Sequence, residues 1–310
     1  MKPKFIEKRV LCEVKKTFPD AQIMSYVLLK GGLVSPVYKV KIKNPSIYLA
    51  VKIYKSKNQK MIQTNNNVLS FLYEKDFPVP KIYSNNLFVK QGIVVMEFIN
   101  GKNALDVYNK FSLKVKAKIL LNIGKLLKRL HSLSIPDFWV HHKHEVRDIK
   151  DWLKWNKLRV RKYLEFAKEN MNNKYYLFLK NEFSIFLKTL DKNIDFVPMH
   201  WDYHLSNILV SSEGNILGLF DFDNAMKGHN LADIGQAKYW LIFRSKDYEN
   251  FKYFLKGYGL KMNSKNDVLI RGYFILHLMA VTRSIWKKRR LNWIIKEHCK
   301  ILDKLIGDVK

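Results

Sequence analysis

The sequence predicts an α+β fold with two unequal lobes. A small β-rich N-terminal lobe is expected over residues 1–100 and a larger, mostly α-helical C-terminal lobe over residues 101–310. The chain has 310 residues, 47% of them hydrophobic, so it can bury a large core. Short β-rich segments between turn residues fill the first third, and long stretches with apolar residues at helical spacing follow. The cleft between two such lobes is a natural ligand site.

The N-terminal lobe should begin with an amphipathic helix, because Val10, Leu11 and Val14 recur at helical spacing. A later helix over residues 58–75 must end before Pro78, which cannot continue it. Strands are predicted around these helices wherever β-rich segments are bounded by turn signals, at residues 27–29, 37–42, 47–54, 81–84 and 92–98.

The C-terminal lobe should be helical at residues 113–130, 152–168 and 175–190, and again from residue 231 onward. Two short strands around the turn at residues 211–214 interrupt this pattern. The apolar run at residues 269–282 is too short to span a bilayer and contains Arg271 and His277, so it is expected to form a buried core helix.

The composition excludes some classes of protein and leaves others open. Cys12 and Cys299 are too far apart to indicate a disulfide framework or a zinc site, and no secretory signal is visible, so a cytoplasmic location is expected. The formal charge of +29 reflects either a biased composition or an anionic partner. Residues 286–293 form a basic segment with two tryptophans. It leaves peripheral contact with an anionic membrane surface open, whereas nucleic-acid binding is not favoured.

The strongest chemical signal is the segment from His200 to Asn207, which has the pattern H-x-D-x-x-x-x-N with Asp202 at its centre. Asp221 follows Asn207 by fourteen residues, after a predicted strand, turn and strand. Phosphoryl transfer needs a carboxylate near the acceptor hydroxyl and oxygen ligands for Mg²⁺. Asp202 is therefore the candidate base, with His200 beside it as a further candidate catalytic residue, and Asn207 and Asp221 are the candidate magnesium ligands.

This segment resembles the catalytic loop of the aminoglycoside phosphotransferase and choline kinase superfamily, which is related to the protein kinases. Two further features are similar to that superfamily: the helix end Leu127-Lys128-Arg129-Leu130-His131, and Asp233 at a helix start twelve residues after Asp221. The resemblance implies a bilobal protein-kinase-like fold, ATP and Mg²⁺ as cofactors, and a role for Asp233 in bracing the catalytic loop. No A-P-E-like segment follows Asp221, which argues against a protein kinase.

The resemblance also assigns nucleotide-binding residues in the N-terminal lobe. Lys52 lies within an apolar strand on the face shared by Ala50 and Tyr54, where a cation needs a partner. By resemblance Lys52 contacts the α- and β-phosphates of ATP, and the turn containing Gly31, Gly32 and Ser35 corresponds to the loop that covers the phosphates. Backbone groups of Glu97 and Ile99 are then expected at the adenine edge.

Two positions depart from the superfamily pattern. Asn65 stands where a Glu usually pairs with the lysine, and its amide can accept a hydrogen bond from Lys52 but carries no charge. Either the alignment slips at this position, or Lys52 is held in another way, or activity is weakened. Asp223 stands where relatives often have Gly, and it is expected to cap the following turn rather than to bind metal.

The predicted function is transfer of the γ-phosphate of Mg-ATP to a hydroxyl of a small molecule. The acceptor is expected around Tyr203 and Trp240, and the basic chain favours a sugar, polyol or glycolipid head group over a cationic amino alcohol or aminoglycoside. The alternative is a catalytically inactive relative that binds nucleotide or an anionic surface as a scaffold. The sequence does not fix the oligomeric state, and the histidines at 141, 142 and 144 are expected to form a solvated loop rather than a metal site.

Overall fold

The computed structural model describes residues 3–29, 35–54, 59–86, 92–141, 143–286, 288 and 291–307. The N-terminal part contains two helices and five strands. They are α1 (Pro3–Thr17), β1 (Gln22–Leu28), β2 (Val37–Lys43), β3 (Ile47–Ile53), α2 (Gln59–Tyr73), β4 (Ile82–Asn86) and β5 (Ile93–Glu97).

The five strands form one antiparallel sheet in the order β1-β2-β3-β5-β4. Strand β3 lies at its centre and pairs Lys52 with Val94 of β5. Alternation along β3 sends Leu49 and Val51 to the face covered by α1, whereas Ala50 and Tyr54 face α2. Lys52 shares the α2 face, as the sequence pattern predicts.

The remaining chain is mostly helical. Its elements are β6 (Lys102–Asn103), α3 (Ala104–Tyr108), α4 (Leu113–His131), α5 (Ile149–Asn170), α6 (Asn173–Thr189), β7 (Phe196–Met199), β8 (Ile208–Val210), β9 (Ile216–Leu219), β10 (Met226–His229), α7 (Asn230–Ser245), α8 (Phe251–Tyr258), α9 (Ser264–Ile285) and α10 (Asn292–Gly307). The predicted fold class, a β-sheet N-terminal region followed by a mostly helical region, is confirmed.

Short strands in the helical region position the loops between them. Strands β8 and β9 pair as a hairpin, with Ile208 opposite Leu219, and β6 joins its other edge. Strand β7 pairs with β10, which the sequence pattern did not reveal because only four residues take part. These pairings bring the chain segments after β7 and after β9 to the same side of the molecule.

The two regions share a core. Val68, Leu69 and Leu72 of α2 belong to the same buried cluster as the helices of the C-terminal region. The five-stranded sheet ends at Glu97 and the next strand begins at Lys102. A domain boundary near residue 100 stays a prediction.

Helix α9 is the one helix of the described ranges that is long and apolar enough to cross a membrane, and 61% of its apolar window is buried inside the protein. Leu276, Leu278 and Met279 are fully buried there. This agrees with the prediction of a core helix at residues 269–282.

Candidate active site

The loop after β7 is held by one buried carboxylate. Asp233, in the first turn of α7, accepts hydrogen bonds from the backbone N–H groups of His200 and Trp201, both at 2.9 Å. Its Oδ2 also lies 3.2 Å from Nε2 of His131, at the end of α4. Trp201 has φ of +59°, a conformation that costs energy in a non-glycine residue and needs such support. Asp233 thus braces the catalytic loop, as the resemblance implies.

His200 lies behind this loop and is fully buried. Its Nδ1 accepts a hydrogen bond from the N–H of Asp202 at 3.2 Å, so its Nε2 carries the proton and donates to the carbonyl of Phe220 at 3.2 Å. Burial lowers the pKa of His200, which keeps the ring neutral. Both ring nitrogens are therefore engaged by backbone, and the assignment of His200 as catalytic is corrected: it positions the loop and does not reach the cleft.

Asp202 is the third residue of this loop, and its side chain is 25% exposed. Its Oδ1 is 3.3 Å from Nε2 of His204. Burial acts to raise the pKa of Asp202, but His204 outweighs it, and the pKa lies below its usual value. The carboxylate is therefore ionised at neutral pH and able to accept a proton or a hydrogen bond.

Asn207 lies at the end of a short 3₁₀ turn, Leu205–Asn207, and its Nδ2 donates to the carbonyl of Asp202 at 2.9 Å. This bond leaves the amide oxygen free of any hydrogen bond from the described residues. The backbone of Asn207 accepts a bond from the N–H of Phe220 at 3.1 Å, so the β8–β9 hairpin returns Asp221 beside it. The geometry thus brings together the two predicted metal ligands.

Lys52 reaches this point from β3. Its Nζ lies 3.0 Å from Oδ1 of Asp221 and 3.1 Å from Oδ1 of Asp223, and 4.4 Å from the ring centroid of Tyr54. Burial alone would lower the pKa of Lys52, but Tyr54 and the two carboxylates raise it well above its usual value. Lys52 is therefore a charged side chain at neutral pH.

The partner of Lys52 is not the residue that the sequence suggested. Asn65 donates from Nδ2 to the hydroxyl of Tyr54 at 2.9 Å and accepts from the backbone N–H of Phe222 at 3.0 Å, so it does not contact Lys52. Of the three explanations offered by the sequence, the second holds: Lys52 is held in another way.

Asp223 supplies the missing carboxylate. It accepts hydrogen bonds from Lys52 at 3.1 and 3.2 Å and from the hydroxyl of Tyr54 at 3.1 Å. The expectation that Asp223 caps the following turn is wrong, because its oxygens point to β3 instead. Burial and the charge of Asp221 raise the pKa of Asp223 more than Lys52 lowers it. In the sequence, the only sign that Asp223 pairs with Lys52 was the presence of an Asp where relatives often have Gly.

The structure describes some of the predicted nucleotide-binding residues and not others. Ser35 is buried just before β2, and Gly31 and Gly32 lie outside the described residues. The backbone N–H of Glu97 donates to the carbonyl of Lys81 at 2.9 Å, and contact of another backbone group of Glu97 with adenine stays a prediction. The N–H of Ile99 has no hydrogen-bond partner among the described residues and remains a candidate.

Of the two residues predicted to contact the acceptor, one lies in the core. Tyr203 is fully buried, and its hydroxyl donates to the carbonyl of Ile123 at 2.8 Å, so it belongs to the core and cannot contact an acceptor. Trp240 does lie near the catalytic loop, with its ring 4.8 Å from that of His204. Two residues that the sequence analysis did not single out, Arg159 of α5 and Gln236 of α7, lie around the same loop.

The histidine cluster is not a solvated loop at every position. His141 is buried and stacks on His144 with ring centroids 4.6 Å apart, and His144 packs against Trp155 at 5.0 Å. His142 lies outside the described residues. Within the described ranges, no three His, Cys, Asp or Glu side chains are grouped as a metal site.

Comparisons with known proteins agree with this geometry. The model of the phosphotransferase enzyme family APH matches residues 25–264, which is more than half of the chain. No curated protein sequence matches the chain.

Solved structures share the fold at low sequence identity. The GDP complex of wild-type aminoglycoside 2'-phosphotransferase-IIIa is 14% identical with a TM-score of 0.74, covering 100% of both chains. ADP-bound aminoglycoside phosphotransferase APH(2'')-Ib is 18% identical with a TM-score of 0.64, covering 95% of this chain and 96% of its own. Macrolide 2'-phosphotransferase type I is 12% identical with a TM-score of 0.67, covering 97% of each. The chain therefore belongs to the APH phosphotransferase family and is a kinase that acts on hydroxyl groups.

Proposed function

We propose that this kinase transfers the γ-phosphate of ATP, bound with Mg²⁺, to a hydroxyl of a small molecule such as a sugar, polyol, glycolipid head group, amino alcohol or aminoglycoside. The observation that carries the proposal is the convergence of Lys52, Asp202, Asn207 and Asp221. Lys52 comes from the sheet and the other three from the helical region, and they meet through the bonds Lys52–Asp221 at 3.0 Å and Asn207–Asp202 at 2.9 Å.

The residues present fit a magnesium ion. Magnesium prefers oxygen ligands and few of them from protein. The amide oxygen of Asn207 and the Oδ2 of Asp221 have no hydrogen-bond donor among the described residues, and the side chain of Asp221 is 39% exposed. These two oxygens would hold the metal. Asp221 has φ of +71°, a backbone conformation whose cost in a non-glycine residue the surrounding bonds must offset.

When bound, Mg-ATP supplies the transferable phosphoryl group and the positive charge that neutralises its oxygens. The chain supplies position and a base. Asp202, ionised at neutral pH, faces the acceptor hydroxyl and takes its proton. Lys52 holds the α- and β-phosphates, and Asp223 with Tyr54 keeps its ammonium group oriented. Ser35 and the backbone N–H of Ile99 would contact the nucleotide.

The departure at Asn65 does not favour the inactive scaffold, because Asp223 replaces the carboxylate that Asn65 lacks. We therefore propose that Lys52, Asp202, Asn207 and Asp221 are all functional.

A cytoplasmic location is also part of the proposal and agrees with two free thiols at Cys12 and Cys299. Nucleic acid is not a proposed partner. Contact with a membrane surface stays open, since Lys287, Arg289 and Arg290 of the basic segment lie outside the described residues.

Transfer of labelled γ-phosphate from Mg-ATP to a mixed panel of sugars, polyols, amines and glycolipids tests the proposal. Asp202→Asn should lower the rate at least about 100-fold, the usual effect of removing a general base, and leave Mg-ATP binding intact. Asp137→Asn, at an exposed position, is the matched control and should behave as the native protein. Native protein that binds no Mg-ATP would contradict the proposal.

A further inference from the structure

Arg159 of α5 is a buried cation without a carboxylate partner. The residue is 8% exposed, and within the described ranges no Asp or Glu oxygen lies at ion-pairing distance from its guanidinium group. Its side chain makes one hydrogen bond, from Nη1 to Oδ1 of Asn156 at 3.2 Å. A guanidinium group carries five N–H donors, so most of its hydrogen-bonding capacity is unused.

Aromatic rings fix the guanidinium group in place. Its Cζ lies 4.6 Å from the ring centroid of Trp155 and 5.4 Å from that of Trp201, and the two rings are 5.6 Å apart. Such cation–π contacts stabilise the group by less than the burial of an unpaired charge costs. Its Nε and Nη2 make no hydrogen bond to the described residues, so these donors remain for a ligand.

Arg159 contacts the loop that contains Asp202. Trp201, against which it packs, directly precedes Asp202, and the carbonyl of Trp201 accepts a hydrogen bond from Gln236 at 3.1 Å. Gln236 also contacts His277 of α9 at 3.0 Å. Burial lowers the pKa of His277 to about 3, so its ring is neutral at neutral pH.

Polar atoms without partners lie in the same region. Nε2 of His277, Oε1 of Gln236 and Nε1 of Trp240 are buried and have no hydrogen-bond partner among the described residues. Because the amide of Gln236 donates to Nδ1 of His277, the unpaired Nε2 carries a proton. The three atoms thus offer two donors and one acceptor. A buried polar atom without a partner is destabilising, and a polar ligand that pairs with it would offset this cost.

We infer that the acceptor is a hydroxylated molecule that carries an anionic group, such as a sugar phosphate or a sugar acid, and that Arg159 binds this group. This inference rests on the proposed phosphotransfer function and narrows its acceptor. Apart from Asp202, the described side chains that the contacts above connect to this loop carry no negative charge: Arg159, His204, Gln236, Trp240 and His277. A polycationic acceptor would meet Arg159 without a compensating carboxylate, whereas a phosphate or carboxylate would accept two parallel bonds from it.

The test is a phosphotransfer assay with matched acceptors that differ only in charge. Glucose, glucosamine, glucuronate and glucose 6-phosphate form one set, and ribose with ribose 5-phosphate and glycerol with glycerate form two others. The expected result is that an anionic member has kcat/KM at least tenfold above its neutral counterpart. Comparison of the acceptors that carry a phosphate with those that carry a carboxylate shows which anionic group is preferred.

Variants of Arg159 test the residue itself. Arg159→Gln should lower kcat/KM for the anionic acceptor by about 10- to 100-fold, the range for lost hydrogen bonds to a charged group, and mainly through KM. The same variant should use the neutral counterpart within about twofold of the native protein. Arg159→Lys keeps the charge but loses the planar fork, so an intermediate loss is expected. Arg161→Gln, on the same helix with a side chain 78% exposed, is the control and should change nothing.

The outcomes separate this inference from the proposed function. Native protein that binds no Mg-ATP and phosphorylates no acceptor contradicts both. Phosphorylation of neutral or cationic acceptors with no anionic member above its neutral counterpart overturns the inference alone. An equal loss on neutral and anionic acceptors in Arg159→Gln also overturns it, because a purely structural role would affect both alike. If Arg159→Gln does not fold, as judged by thermal unfolding, Arg159→Lys takes its place in the same comparison.

Discussion

Asn65→Ala tests how the site is held together. Asn65 is 1% exposed and joins three parts of the site: its Nδ2 binds the hydroxyl of Tyr54, its Oδ1 accepts the N–H of Phe222, and Tyr54 in turn donates to Asp223. Replacement by Ala leaves the buried N–H of Phe222 without a partner, at a cost of about 1–3 kcal/mol, and removes a second bond worth about 1 kcal/mol. The expected loss in the free energy of unfolding is therefore about 2–4 kcal/mol.

The same change should weaken catalysis. Phe222 follows Asp221 directly, and the bond from Asn65 fixes the chain where Asp221 adopts its positive φ. Without that bond the carboxylate of Asp221 is less well positioned, so kcat should fall by about tenfold or more, since small displacements of catalytic groups are costly. Urea unfolding and steady-state phosphotransfer on the same samples measure the two effects.

Asn67→Ala is the matched control, because Asn67 lies on the same helix and makes no side-chain hydrogen bond to the described residues. Both substitutions replace Asn by Ala within a helix, which by itself is slightly favourable. The difference between the two variants therefore isolates the bonds of Asn65. If Asn65→Ala matches Asn67→Ala in both unfolding free energy and kcat, the assigned role of Asn65 is refuted.

Three further changes have defined outcomes. Gly124→Ala should lower the urea midpoint by the equivalent of about 2 kcal/mol or more, because its Cβ would overlap the backbone of α8, whereas Gly307→Ala, with open space around it, should not. Lys52→Met should abolish Mg-ATP binding in a calorimetric titration, with exposed Lys41→Met unchanged. Burial lowers the pKa of His298 to about 4, so the neutral ring is favoured in the folded protein. This contribution to stability is complete above pH 6.5 and becomes progressively smaller as the pH falls towards 4. The free energy of unfolding of the native protein, relative to that of His298→Gln, should thus fall by about 2 kcal/mol between pH 7 and pH 5. A difference between the two proteins that does not change with pH would contradict this.

Residues that act through local spacing could be identified from the sequence. Asp202 and Asn207 lie within one short loop, and the hairpin of β8 and β9 fixes where Asp221 returns. Strand alternation likewise placed Lys52 on the face shared with Ala50 and Tyr54. These relations depend on neighbours along the chain or on one hairpin, so the pattern of residues was sufficient to predict them.

Only the tertiary structure decided which side chains complete the site. Asn65 meets Phe222 across 157 residues of chain, and Lys52 meets Asp223 across 171. The burial of His200 and the position of Arg159 against Trp201 also depend on how helices and loops pack, which residue spacing does not encode. The sequence by itself thus determined the chemistry of phosphoryl transfer and the fold that supports it. Packing between distant segments decided how Lys52 is held and which charge faces the acceptor, because both depend on contacts between residues far apart in the chain.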